Sequence, residues 1–128
     1  MSVEPAYAEF AVTSNFSFLR GASHPEELVA TAAALGYAAL GLADRNTVAG
    51  VVRAHTALRE WQADNPAAPS VAFHPGARLV FRDGTPDVLA YPESRAGWGH
   101  LCRLLTRGNR RAEKRNCLLD LEDLLEFA

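Results

Sequence analysis

This sequence lacks several features that mark particular classes of protein. It contains only two cysteines in 128 residues, too few for the disulfide framework of a small secreted domain. Its net charge of −2 at pH 7 gives the chain as a whole no electrostatic drive toward nucleic acid or a membrane. No apolar run approaches the roughly 20 residues that span a bilayer, and the first ten residues do not resemble a signal peptide. These absences predict a cytoplasmic protein with free thiols and no membrane partner.

Recognisable metal-ligating and nucleophile patterns are also missing. The chain has four histidines without any H-x-H or H-x-x-x-H pair: His24, His55, His74 and His100. Capping, surface exposure or core packing explains each of them better than metal ligation does. Ser17 belongs to no nucleophile motif and has no histidine near it in the sequence. The residues by themselves therefore predict neither a catalytic residue nor a metal or other cofactor.

The composition that is present, 48% hydrophobic and 22% charged, is that of one globular domain. Hydrophobic spacing and turn residues divide the chain into alternating strands and helices. The predicted elements are a strand over 7–13, a helix over 24–35, a strand over 37–44, a helix over 46–63, a strand over 70–81, a hairpin over 78–91, a helix from Ser94 to about Thr106 and a short helix over 120–127. This order predicts an α/β fold with right-handed crossovers.

Local signals predict where several of these elements begin, end or break. Ser23 and Glu26 have the spacing of a capping box at the start of the first helix, and Gly36 fits its end. The Pro75-Gly76 pair predicts an interruption of the third strand. Gly108 predicts a break in the helical pattern that follows Ser94.

Three segments of the chain resemble the N-terminal region of bacterial C-family DNA polymerase alpha subunits, closest to their error-prone branch. They read "AVTSNFSFLRGASHPEELVATAAALGYAALGLADRNTVAGVVRAH" (11–55), "GARLVF" (76–81) and "GWGHLCRLLTRGNRRAEK" (97–114). In that family this region is the PHP (polymerase and histidinol phosphatase) domain, a barrel of parallel strands and helices with a metal site at the strands' C-terminal ends. The resemblance implies that residues 1–128 are the N-terminal part of a PHP domain. It predicts a partial PHP-type (βα) barrel with mainly parallel strands, without the closing strands and the polymerase domains.

The resemblance also implies that the metal site has been lost. Where active PHP domains resemble "HxHTxxSxxDG" this chain reads "AVTSNFSFLRG", and where they resemble "TDHG" it reads "ADRN", which keeps Asp44. Six positions that match family ligands hold other residues here: Ala11, Thr13, Arg20, Arg45, Arg78 and Asp87. Arginine stays protonated and has no lone pair to give to a metal ion. The resemblance therefore predicts a site without metal.

Two interpretations remain open for the arginines at these positions. Arg20, Arg45 and Arg78 each follow a predicted strand, so a parallel barrel brings them to one face. They either form ion pairs with Asp44 and Asp87, or they bind an anion such as sulfate, phosphate or a DNA phosphate.

A basic stretch near the C-terminus also allows two interpretations. Its residues are Arg103, Arg107, Arg110, Arg111, Lys114 and Arg115. A solvated helix face, neutralised by the acidic segment 120–127, is the simpler interpretation. The alternative is a surface that follows nucleic-acid phosphates, although no aromatic residues interleave with the arginines to stack on bases.

Three functional hypotheses follow. The first is a metal-free structural module of an error-prone DNA polymerase alpha subunit, whose full-length protein carries out DNA-templated DNA synthesis during damage tolerance. The second is a metal-dependent phosphoesterase or 3′–5′ proofreading exonuclease with a rearranged site, and the third is a nucleic-acid-binding module acting through residues 103–115. The expected partners are the remainder of the polymerase chain, DNA through the full-length protein, and a second copy of the chain that pairs with the open strand edge.

Overall fold

The computed structural model of the protein describes residues 7–14, 16, 23–111 and 117–128. Four strands form one sheet in the order β1-β2-β3-β4. These strands are β1 (Ala8–Val12), β2 (Ala39–Arg45), β3 (Ala72–Leu79) and β4 (Val88–Ala90). β1, β2 and β3 run parallel, and β4 pairs antiparallel with β3. The predicted fold class is confirmed, because this is a mixed α/β structure with a curled half-barrel sheet of mostly parallel strands.

Within the described ranges, four helices connect or follow the strands. They are α1 (Pro25–Ala34), α2 (Val51–Asp64), α3 (Arg95–Arg111) and α4 (Leu121–Phe127). The crossovers through α1 and α2 join consecutive parallel strands, as βαβ units require. No helix among the described residues is long and apolar enough to cross a membrane.

Strand alternation gives the sheet two different faces. Leu40 and Leu42 of β2 pack with α1 and α2, while Ala77 and Leu79 of β3 pack with α3. We call this side the helix face. The alternate residues of β2 and β3 project to the opposite side, which we call the inner face, because successive side chains of a strand point in opposite directions.

Two buried clusters lie on the helix face. One joins α1 and α2 to β2, and the other joins α3 and the segment around Leu119 to β3. Val48 and Trp98 contact both clusters, so they connect the two halves of the core. The edge strand β1 has no second neighbour among the described residues, and self-association through this edge stays a prediction.

Three of the predicted boundaries are wrong. The N-cap of α1 is His24 rather than Ser23, and no side chain caps that helix end. α2 begins at Val51 rather than residue 46, because residues 46–50 form the turn that leaves β2. β3 continues through Pro75 and Gly76 without interruption.

The predicted break at Gly108 is also wrong, since α3 continues to Arg111. Gly108 is needed there for close packing. A Cβ at this position would lie 2.5 Å from Cys117 Sγ and 2.7 Å from Leu119 Cδ2, so the glycine lets the 117–119 segment cross the helix.

Other local predictions are confirmed. Gly36 follows α1 with a φ of 77°, a left-handed conformation typical of a helix end. The hairpin joins β3 and β4, with Ala77 opposite Ala90. Ser94 Oγ accepts a hydrogen bond of 3.0 Å from the backbone N–H of Gly97, as expected of a residue at a helix start.

Candidate functional site

Asp44, which matches the aspartate of the PHP pattern "TDHG", points away from the inner face. It lies on β2 opposite Ala77, which packs on the helix face, and it is only 1% exposed. Its carboxylate accepts hydrogen bonds from the backbone N–H of Ser14 at 2.7 Å and from the Ser14 hydroxyl at 2.6 Å. Asp44 therefore holds the segment after β1 against the end of β2, which is a structural task.

Arg45 and Arg78 lie side by side at the C-terminal ends of β2 and β3. They are register partners in the parallel pairing, and alternation places both on the inner face. The predicted convergence of these two positions is thus present. A guanidinium nitrogen of Arg78 lies 3.7 Å from a carboxylate oxygen of Asp87, and both side chains are half-exposed. At this distance Asp87 balances the charge of Arg78 without a short hydrogen bond.

Ala11 and Thr13, the first two positions that the resemblance matches to metal ligands, lie within the described residues. Ala11 adopts a left-handed conformation with a φ of 63°, within an irregularity of the pairing between Glu9 and Val12. Its backbone N–H donates a hydrogen bond of 2.8 Å to the Tyr91 hydroxyl. Thr13 is half-buried just beyond β1. Neither position offers a side-chain donor of the kind that the family motif requires.

Tyr91 is the residue of this site that sequence reasoning missed. Its ring crosses the inner face so closely that a Cβ on Gly41 would lie 3.0 Å from it, and one on Gly76 2.6 Å. Phe10 stacks edge-on against Tyr91 at a centroid distance of 5.6 Å and also contacts His74 at 5.4 Å. The inner face is therefore filled by aromatic rings below Arg45 and Arg78. The available signal was a glycine on each of two neighbouring strands, Gly41 and Gly76, on the same face and two residues apart in register.

The residues present do not fit the metal ion that the family implies. Arg45 and Arg78 occupy two of the expected ligand positions, and a guanidinium repels a divalent cation instead of coordinating it. Within the described ranges, no three His, Cys, Asp or Glu side chains come together as a metal-ligating group. Arg20, another of the predicted positions, lies outside the described residues, so its convergence with Arg45 and Arg78 stays a prediction.

The described members of the basic stretch, Arg103, Arg107, Arg110 and Arg111, lie on α3. Two of these arginines form ion pairs with carboxylates of α4. Arg107 makes a two-pronged hydrogen bond to Glu126, and Arg111 makes another to Asp123. Asp123 also accepts the backbone N–H of Asp120 in the capping box that begins α4. The predicted neutralisation by the acidic segment is therefore present for Arg107 and Arg111.

These ion pairs shift the ionisation of their members. The hydrogen bond from Arg111 holds the pKa of Asp123 below its usual value, and that from Arg107 does the same for the pKa of Glu126. A third pair, between Arg82 and Asp120, has a two-pronged geometry with both distances at 2.9 Å and lowers the pKa of Asp120. All three carboxylates are acids of α4 or its cap, so the pairs hold α4 in place.

A cleft opens beside the same arginines. It has a volume of about 610 Å³, and its lining residues are Arg103, Thr106, Arg107, Arg110, Arg111 and Phe127. The Arg107 guanidinium lies 4.5 Å from the centre of the Phe127 ring. Sequence reasoning found no aromatic residue in this stretch, because Phe127 reaches it only through the packing of α4 on α3. Lys114 and Arg115, the last two predicted members of the basic stretch, lie outside the described residues.

The two thiols offer no reactive nucleophile. Both cysteines are free. Burial raises the pKa of the Cys117 thiol to about 11 and also raises that of Cys102, so both thiols are protonated near neutral pH.

The fold and its similarities to known proteins define a class of protein. The PHP domain family matches residues 9–127, and the chain belongs to that family. An error-prone DNA polymerase from Mesorhizobium japonicum is 62% identical over 123 residues, which cover 94% of this chain and 10% of that protein. Error-prone DNA polymerase 1 from Rhizobium meliloti is 54% identical over 127 residues, covering 99% of this chain and 11% of that one. The predicted resemblance to the PHP region of such polymerases is confirmed.

Two further facts define the extent of these similarities. The chain spans about a tenth of the length of the curated relatives that it matches. Among solved structures, a candidate metal-dependent phosphoesterase from Bifidobacterium adolescentis superposes with a TM-score of 0.56 at 22% identity, over 83% of this chain and 34% of that one. At that identity the similarity shows the fold alone.

Proposed function

We propose that this chain is a metal-free structural PHP module of an error-prone DNA polymerase. The full-length protein would carry out DNA-templated DNA synthesis during damage tolerance, and this segment would supply a folded support without catalysing a step itself. The names of the relatives at 54–62% identity support the polymerase assignment, and the donor chemistry of the inner face supports the structural role.

One observation carries the structural role, which is the register pairing of Arg45 with Arg78. The C-terminal ends of parallel strands are where an α/β barrel assembles its site. Two positive side chains at neighbouring strand ends oppose the binding of a divalent cation through Coulomb repulsion.

The fate of Asp44 supports the same conclusion. A carboxylate that accepts two hydrogen bonds in a buried position is committed to those donors. Asp44 also lies on the helix face, opposite to Arg45 and Arg78, so it adds no carboxylate to their side of the strand ends.

A metal-dependent phosphoesterase or 3′–5′ exonuclease is the competing function, and metal content separates the two. We would dialyse the purified chain against Zn²⁺ or Mn²⁺, remove free metal and measure bound metal by mass spectrometry. The same samples would be assayed for hydrolysis of p-nitrophenyl phosphate and of a 5′-labelled oligonucleotide. We expect substoichiometric metal and neither activity.

The matched control is Arg45→His/Arg78→Glu, which returns a nitrogen donor and a carboxylate to two positions that match family ligands. We expect this variant to retain more metal than the unmodified chain, because it replaces two cations by donors. Stoichiometric metal in the unmodified chain together with phosphatase or exonuclease activity would overturn the proposal.

A further inference from the structure

Arg103, Arg107 and Arg110 lie along one side of α3. Arg103 and Arg110 are seven residues apart, so they lie almost above one another, about 10.5 Å apart along the axis at 1.5 Å per residue. Arg107 lies between them, and all three line the cleft of about 610 Å³ that is closed on one side by Phe127. The result is a row of guanidinium groups beside an open groove.

The charges of this row are only partly balanced. Arg107 and Arg111 are held by Glu126 and Asp123. Arg103 and Arg110 are exposed, and neither makes an ion pair with any residue in the described part of the chain. The acidic helix α4 therefore fixes Arg107 and Arg111 and leaves the positive charges of Arg103 and Arg110 unbalanced by an ion pair in the described part of the chain.

Phe127 helps to hold Arg107, the middle arginine of the row, in one position. Its ring lies under the Arg107 guanidinium, while Glu126 binds the edge of the same group. A guanidinium that is stacked and hydrogen-bonded keeps one orientation and loses little further entropy on binding. Arg103 and Arg110 can then contact a linear ligand on either side of it.

We propose that this cleft binds the phosphodiester backbone of DNA, with Arg103 and Arg110 contacting phosphate groups. Guanidinium forks match phosphate oxygens in two-pronged hydrogen bonds, and a row two helical turns long suits a polymer with regularly repeated charges. The choice of DNA over another polyanion rests on the proposed function. The role of Arg103 and Arg110 as phosphate contacts rests on the geometry of α3.

Binding to labelled oligonucleotides tests the proposal. We would measure fluorescence anisotropy of a single-stranded DNA and of a duplex of the same sequence at several salt concentrations, with the unmodified chain and with Arg103→Glu/Arg110→Glu. We expect the double variant to bind at least about tenfold more weakly. For the single strand, loss of two phosphate contacts should also reduce the slope of log affinity against log salt by about 1.4. Comparison of the affinities for the single strand and the duplex shows which form of DNA supplies the phosphates.

The control variant Arg59→Glu/Arg95→Glu makes the same change in net charge at two exposed arginines that do not line the cleft. We expect it to keep most of the affinity. Equal loss of affinity in both double variants would show a general charge effect and overturn the site. The site would also be overturned if inorganic pyrophosphate displaced the labelled oligonucleotide as well as unlabelled DNA does at matched phosphate concentration. Melting curves of both variants establish that each is folded, and Arg103→Gln/Arg110→Gln provides a milder version of the same test.

The outcome is separable from the proposed function, because the metal and activity assays do not depend on α3. Absence of DNA binding would remove the cleft as a site and leave the metal-free role intact. Bound metal with phosphatase activity would remove that role and leave the binding measurement valid.

Discussion

Two regions of this molecule use arginine and carboxylate side chains in different ways. Between α3 and α4, the arginines and acids meet in two-pronged pairs, Arg107 with Glu126 and Arg111 with Asp123. At the strand ends, Asp44 and Arg45 are adjacent in the chain but lie on opposite faces of the sheet. The packing of α4 on α3 brings opposite charges of two helices together, whereas strand alternation separates neighbours in the chain.

The comparison teaches that the same residue types form paired side chains that hold two helices together in one place, and two adjacent arginines at neighbouring strand ends in the other. Removing a charge from each region should therefore have different consequences for stability, pH dependence and ligand binding.

The largest effect is expected for Asp44→Ala. This change leaves the buried N–H and hydroxyl of Ser14 without their acceptor, so we expect the free energy of unfolding to fall by about 3 kcal/mol. Urea denaturation would measure it. The control Asp87→Ala removes a half-exposed partner of Arg78 and should cost about 0.5 kcal/mol. A loss for Asp44→Ala no larger than the control would show that the strand-end carboxylate is not structural.

The next effect concerns the α3–α4 pairs. Asp123→Asn weakens the hydrogen bonds from Arg111 to a nearly buried carboxylate, and we expect a loss of about 2 kcal/mol at pH 7. Urea denaturation at neutral pH checks it, with the exposed Glu122→Gln as control.

The pH dependence has a defined sign. The pKa of Asp123, Asp120 and Glu126 is lowered in the folded state, so their stabilisation is fully present above the unfolded-state value of about 4. It is lost as the pH falls below that value toward the folded-state pKa. Between pH 5 and pH 2 (roughly), Asp123→Asn should therefore lose less stability than the unmodified chain. Parallel pH curves for the two would show that these pairs do not hold the two helices together.

A smaller effect is expected on the inner face. Tyr91→Phe removes the hydroxyl that accepts the Ala11 N–H while it keeps the ring over Gly41 and Gly76. We expect a loss of about 1 kcal/mol in the free energy of unfolding. The control is Tyr7→Phe, because Tyr7 is exposed and its hydroxyl donates a hydrogen bond to Glu9, two residues along the chain. Equal effects would mean that the Tyr91 hydroxyl does not anchor β1.

The smallest effect is the response to phosphate. If Arg45 and Arg78 bind an anion, phosphate should raise the melting temperature in a saturable way, beyond chloride at the same ionic strength. The expected stabilisation is about 0.4 kcal/mol when the phosphate concentration equals the dissociation constant. Arg45→Gln/Arg78→Gln should abolish it. An identical response to phosphate and chloride would leave the pairing of Arg78 with Asp87 as the role of that arginine.

Residue types and their spacing determined the order of the secondary-structure elements of this protein. The alternation of apolar runs with capped amphipathic segments gave the element order, and the hairpin between β3 and β4 was signalled by its turn residues. The family resemblance assigns Ala11, Arg45 and Arg78 to ligand positions, and their side-chain types predict without coordinates that they do not ligate a metal.

Only the tertiary structure decided which groups meet. The Tyr91 hydroxyl receives the N–H of Ala11 from 80 residues away, and Phe127 reaches Arg107 through the packing of α4 on α3. β3 and α3 continue through Gly76 and Gly108. A glycine is needed at each position because neighbouring groups approach too closely for a side chain. Such contacts depend on loop geometry and on the fit between surfaces of distant segments, whereas propensity and periodicity describe only each segment by itself.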